Sequence, residues 1–329
     1  CALPILVRIF LRLVVYSLLQ KNKVMYRSFC YISAVLVTAI LILASCKQVS
    51  TRPKSVGKPY EVLVVGDVDN IVDSVLSTPT PGLPQAEPLM DVIHAKQLTS
   101  NNNNFRTIIV VNMDTVPKKV AEAHSVEKAN EFVDNQQTLY IFASDKKALK
   151  EITQKLRRTI LITEIAREQR NLAQKPNIKA AALVKKMFGK TMLISQELTA
   201  SKAGKDFLWL SNNTAEGMLN ICFYYVDAKR FETQHDSIMQ RNIQGTQKGD
   251  YLSIATLATR IVNKDTKNTT IRGIWRMRQE AMGGPFVTYI LHNVKKQGKC
   301  LAVEAFLFAP EKEKRNRMRR LEAALYTLH

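Results

Sequence analysis

The residues best suited to chemistry lie together at Leu43-Ala44-Ser45-Cys46. A branched apolar residue three places before a cysteine, with two small residues between that a peptidase cleft accepts, is a lipobox pattern, and the thiol that follows can be diacylated. Upstream, Arg27 supplies a short positive region after Met25, and Phe29 to Ala44 is apolar apart from Ser33 and Thr38. That is the length and polarity of a secretory core. Downstream, Lys47, Gln48, Ser50, Thr51, Arg52, Pro53 and Lys54 read as a polar tether. A membrane-spanning helix needs about 20 apolar residues, which this run barely reaches. The expectation is lipidation at Cys46 and attachment to a membrane through that lipid. Residues 1–24 hold a second apolar run, broken by Arg8 and Arg12; they read as an upstream translation artefact with Met25 the true start, or as the first span of a hairpin.

Other constellations are weaker. Gly189-Lys190-Thr191 has the tail of a phosphate-binding loop, but Val184 stands where its leading glycine is required. Val65-Gly66-Asp67 follows an apolar run as in a dinucleotide fold, yet no further glycines follow to let backbone approach a pyrophosphate. His235 beside Asp236, and His94 near Asp91, each pair a base with an orienting acid, an arrangement that solvated surface pairs share. No cluster with metal-ligand spacing occurs in the sequence, so neither a metal nor a cofactor is expected. Cys222 and Cys300 fall in two strand-like stretches and are either a disulfide or two separate buried thiols.

One surface is expected to bind an anionic partner. Lys312, Lys314, Arg315, Arg317, Arg319 and Arg320 load the start of the last helix with positive charge, which opposes the helix dipole. Either that face is solvated or something anionic compensates it. Nearby, Gly283-Gly284-Pro285 reads as a turn or as a backbone-lined contact, and the glycines Gly283 and Gly284 are counted with the cations as the candidate surface.

The elements that must position these residues fall into two styles. Strand-like runs at Val62 to Val65, Phe105 to Val111 and Leu139 to Phe142 alternate with helical stretches at Asn70 to Leu76, Lys118 to Phe132 and Asp145 to Ala173, where Leu149, Ile152, Leu156 and Ile160 share one face. Ser77 to Pro88 holds four prolines and reads as an exposed loop, open to proteolysis. Further on, strands are expected at Met192 to Leu198, Phe207 to Leu210, Leu219 to Val226, Arg272 to Arg278, Phe286 to His292 and Leu301 to Phe308, with helices at Lys229 to Ile243 and Glu311 to Leu328. The fold class is α+β: an N-terminal α/β layer with mainly parallel strands, then a mostly antiparallel sheet with packed helices in ββα-like units. The segments are 1–45 upstream sequence and signal, 46–59 tether, 60–176 α/β region and 177–329 α+β region.

Net charge narrows the partners. The chain carries +20, and the five basic residues before Cys46 have no acidic counterparts, so the remainder carries +15. Such a balance suits nucleic acid, an anionic membrane or cell-wall carboxylates. An exported protein meets the envelope first, so the expected partners are an envelope protein, a glycan or an anionic lipid, and nucleic acid is set aside.

The strand ending at Val65-Gly66-Asp67, then Trp275-Arg276-Met277, Ala281-Met282-Gly283-Gly284-Pro285-Phe286-Val287, Phe308-Ala309-Pro310, Lys314-Arg315 and Leu321-Glu322-Ala323-Ala324-Leu325-Tyr326 resemble the lipoprotein family of Bacteroidetes known as domain of unknown function 4837, over nearly the whole chain after Cys46. The resemblance implies a periplasm-facing lipoprotein of a diderm bacterium and no assigned activity, so no catalytic residue carries over. Lys47-Gln48-Val49 lacks the acidic run that resembles a surface-export tag, which favours the inner face of the outer membrane. The expected role is a non-enzymatic binding or structural module. The alternative is a periplasmic enzyme, favoured if the fold brings a histidine and two carboxylates into one cleft.

Overall fold

A computed structural model describes residues 52–113, 123–214, 217–255, 258–264 and 267–329. The lipobox, the upstream runs and residues 118–122 of one expected helix lie outside these residues. Residues 53–329 form one compact unit.

The first sheet is built on apolar strands that pack on both faces, as parallel strands must. β1 (Glu61–Val65) lies between β2 (Asp91–Ala95) and β3 (Thr107–Asn112), and β5 (Gln137–Phe142) follows β3, all parallel. β4 (His124–Ala129) closes the edge antiparallel to β5, giving the order β2-β1-β3-β5-β4. Side chains alternate between faces, so Val62, Val64, Ile109, Leu139 and Ile141 meet helices α1 (Ile71–Leu76) and α2 (Lys146–Gln174), while Leu63, Val65 and Ile108 form a smaller cluster opposite.

Helix α2 starts because Asp145, in extended backbone, accepts a hydrogen bond from Ala148 N at 2.8 Å, and it ends just before Pro176. At 29 residues it runs about 43 Å. Leu149, Ile152, Leu156 and Ile160 serve the first core, and Leu172 serves the second. The two sheets are therefore joined by one continuous rod.

The second sheet is antiparallel, ordered β10-β11-β12-β13-β8-β7-β6. Its strands are β6 (Ala200–Gly204), β7 (Phe207–Ser211), β8 (Met218–Val226), β10 (Arg260–Lys264), β11 (Asn268–Met277), β12 (Gly283–Lys296) and β13 (Lys299–Phe308), with the short β9 (Leu252–Ile254) beside β11. Strand pair then helix occurs twice, and the two helices cover opposite faces. Helix α5 (Arg315–Leu325), with α3 (Ile178–Phe188), packs on Ile221, Phe223, Val303 and Leu307; α4 (Phe231–Asn242) packs on Cys222, Tyr224, Ala302 and Phe306.

Two expectations change. Residues 124–129, expected in a helix, form strand β4: all six are exposed, so backbone pairing with β5 outweighs the helix-forming Glu127 and Lys128. Met192 to Leu198 is not a strand. Met192, Ile194 and Leu198 bury alternately, but the segment is held by Asn177 N donating to Ile194 O at 2.8 Å and by backbone pairing of Thr191 with His329. Helix α3 takes the place of any phosphate loop: Asn177 caps it and Gly189, at φ 68°, ends it. The Pro-rich loop is tied down, since Thr80 N donates to Glu87 O and Leu83 packs on the second core.

Candidate functional site

The α4 face of the second sheet holds the chemistry. Helix α4 lays His235 over the middle of β13, where Glu304 points to the same side as Cys300, Ala302 and Phe306. His235 Nε2 lies 3.1 Å from Glu304 Oε1, and Glu304 Oε2 accepts from Tyr224 Oη at 2.7 Å and Thr288 Oγ1 at 2.6 Å. Burial works against the imidazolium, but the Glu304 carboxylate and Asp236 overcome it and hold the imidazole up at about 9. Burial likewise works against the carboxylate, and the His235 charge with these donors keeps Glu304 below its usual range. His235 and Glu304 are both 0 % exposed, enclosed by Tyr224, Phe231 and Phe286. A histidine and two carboxylates do meet, but His235 and Glu304 are sealed in the core and only Asp236 is partly exposed. Their effect is to pin α4 to the sheet.

Sequence paired His235 with Asp236 alone; that contact is 3.4 Å, and the missed partner is Glu304, on another strand. His94 bonds Asp73 at 2.9 Å instead of Asp91, and is exposed.

Beside the first turn of α4 the layer opens into a cleft of about 630 Å³. Ala228, Phe231 and Ile271 give it an apolar lining, Lys229 and Lys295 stand at its wall, and Thr269, His292 and Cys300 lie in it together. His292 Nε2 is 2.9 Å from Thr269 Oγ1, and its Nδ1 is 3.9 Å from Cys300 Sγ. A bulge in the β12–β13 pairing makes this meeting: Lys295 pairs with Cys300 beyond it, whereas the register before it, Leu291 with Leu301, carries His292 towards Cys300. Sequence gave no hint, because plain counting back from the Gln297-Gly298 turn, both at positive φ, sets His292 opposite Val303.

The family comparison bears on this same region. A family model described as a domain of unknown function, DUF4837, matches residues 177–327. These residues belong to the DUF4837 family. The match is narrower than the resemblance implied, because residues 55–177 match a separate domain of unknown function, DUF8532. No curated protein matches the chain. The α4 cleft and the sealed histidine both lie in the DUF4837 domain.

So does the basic cluster of α5, and there two of the compensating anions, Glu87 and Asp91, come from the DUF8532 part. Glu87 accepts from Lys314 N at 2.8 Å and Arg315 N at 2.7 Å, at the start of the helix. Asp91 takes Arg315 Nη1 at 3.0 Å and Nη2 at 2.6 Å, and that guanidinium is only 4 % exposed. Arg319, also buried, shares Glu322 with Arg272, at 3.0 Å and 2.9 Å. Arg320 meets Glu197 at 2.5 Å, and Lys314 Nζ bonds Lys312 O at 2.7 Å. Arg317 lines a groove between α2 and α5. Lys314, Arg315 and Arg319 are thus buried, Arg320 is paired at the surface, and Arg317 faces the groove.

Gly283 and Gly284 are not a turn but the start of β12, paired with Arg276 and Trp275. A Cβ on Gly284 would lie 2.0 Å from Leu307 O; its absence leaves room for Trp275 Nε1 to donate to that oxygen at 3.1 Å. Cys222 and Cys300 are free thiols, on neighbouring strands but opposite Glu304 and Val226 respectively.

Proposed function

We propose that this chain is a lipid-anchored envelope protein, facing the periplasm from the outer membrane, that works as a non-enzymatic binding module with the α4 cleft as its ligand seat. The observation that carries the seat is the cleft itself, an open cavity of about 630 Å³ with an apolar lining and lysines at its wall, the general form of a small-molecule site. Lys229, Arg230 and Lys295 outnumber Asp227 and Glu232 in its lining, which suits a ligand with an apolar body and an anionic end. The anchor is supported by Leu43-Ala44-Ser45-Cys46 and the polar stretch after it. Against the enzyme alternative stands the burial of His235 and Glu304, which removes that acid–base set from any substrate. The burial of Lys314, Arg315 and Arg319, with Arg315 and Arg319 paired to Asp91 and Glu322, favours the cleft over the helix start as the seat of an anionic ligand.

The anchor is tested by Cys46→Ala. The variant is expected to lose fatty-acid labelling and to leave the membrane fraction. Retention on the membrane without cleavage would support a spanning segment and contradict the anchor.

A further inference from the structure

We infer that the α4 cleft is an acyl-capture site in which Cys300 is the nucleophile, His292 its base and Thr269 the positioning residue. This rests on the cleft being the ligand seat. Nucleophile, base and orienting group are in sequence along one line: Cys300 Sγ to His292 Nδ1 at 3.9 Å, and His292 Nε2 to Thr269 Oγ1 at 2.9 Å. In the tautomer whose Nε2–H donates to Thr269 Oγ1, the Nδ1 lone pair faces the thiol, the arrangement a nucleophile needs to lose its proton. Unbound sites of this kind are commonly looser than in the reacting complex, and 3.9 Å is within reach of a small ring movement.

A further feature fits an acyl ligand. The lining by Phe231, Ile271 and Ala228 suits the hydrocarbon of the acyl group. Cys222 supplies the internal contrast: it is 0 % exposed, and burial, then the Glu304 charge, pushes its thiol well above the ordinary range. Cys300, at 6 % exposed, lines the cleft.

In the step, the Cys300 proton passes to His292 Nδ1 and the sulfur pair forms an S–C bond with the carbonyl carbon of an activated acyl ester. The bond from that carbon to the leaving oxygen breaks, and the leaving alkoxide or phenolate takes the proton back from His292. The products are a thioester on Cys300 and a free alcohol or phenol. Capture is stoichiometric and needs no further reactant.

The test uses the folded protein with 4-nitrophenyl decanoate at pH 7, and decanoate itself as the unreactive ligand. The expected result is one equivalent of nitrophenolate released, and a decanoyl mass on the peptide containing Cys300 with Cys222 unmodified. Cys300→Ser should abolish the thioester, and His292→Gln should slow its formation at least about tenfold. Decanoate binding without any adduct would overturn the capture and leave the seat standing. Absence of both binding and adduct would overturn both. An adduct forming at the same rate in His292→Gln, or equally on Cys222, would overturn the assignment of the base and the nucleophile, and the mass and melting temperature of each variant exclude misfolding as the cause.

Discussion

The two faces of the eight-stranded sheet are covered differently. One is packed by α3 and α5 over a continuous apolar core in which Ile221, Phe223, Val303 and Leu307 are buried. The other is covered by α4 alone, and it holds a buried ion pair, an open cleft and both free cysteines. Apolar packing is non-directional and closes a face wherever surface can be buried. A single helix cannot span eight strands, so its position must be fixed by something directional, and the His235–Glu304 contact does this. Where α4 stops covering the sheet, strand residues that would otherwise be core become the lining of a cleft. The contrast separates a face packed chiefly by apolar contacts, with grooves beside α2, from one fixed by a directional pair, with the ligand cleft beside the start of its helix.

The sharpest way to break this contrast is Glu304→Ala. It leaves the His235 imidazolium buried without its acceptor, and also strips Tyr224 and Thr288 of theirs. A loss of about 3–5 kcal/mol is expected, read by urea unfolding; a loss below 1 kcal/mol would mean that α4 is held by apolar contacts alone. The same pair has a pH signature. The imidazole lies at about 9 in the folded chain against an ordinary 6.5, so the folded state binds the proton more tightly. Its stabilisation is complete below about pH 6.5 and is lost as pH rises through about 9. The groups facing His235 are Glu304, Asp236 and Tyr224, and the last is pushed well above its ordinary range by burial and by Glu304, so it does not titrate in that window. His235→Gln should flatten the dependence of melting temperature on pH between 6.5 and 9.

A smaller effect is expected on the α5 face. Glu87→Ala removes the acceptor for the first N–H groups of α5, with a loss of about 1 kcal/mol, as for other helix caps. Because Glu87 belongs to the Pro-rich loop, the variant should also make residues 77–88 cleave faster under limited proteolysis. Unchanged stability and cleavage would show that Arg315 and Asp91 hold the junction without it.

Much of the fold was legible because burial writes itself into sequence. Val62 to Val65, Leu139 to Phe142 and Leu301 to Phe308 are apolar runs that became strands, and Asp145 before a 3.6-residue pattern gave α2 its start. The elements that were missed carry little such pattern. β4 and β6 are edge strands with exposed side chains, and their structure comes from a neighbour's backbone. For the site, the residue types were in view but their company was not. Glu304 and His235 are distant in sequence, Glu87 reaches α5 from the Pro-rich loop, and a bulge decides that His292 meets Cys300. Long-range register is not contained in any local window. The basic run of α5 was read as a solvated face or one compensated by something anionic, and several of its cations meet acids of the same chain.

The central claim, that the cleft beside α4 is the ligand seat, is tested most directly by hydrogen–deuterium exchange with and without decanoate. Slower exchange is expected in two segments, Asp227 to Thr233 and Lys295 to Cys300, with the α5 region from Lys312 to Arg320 unchanged. Protection at Lys312 to Arg320 with none around α4, or no protection anywhere at saturating decanoate, would contradict that claim.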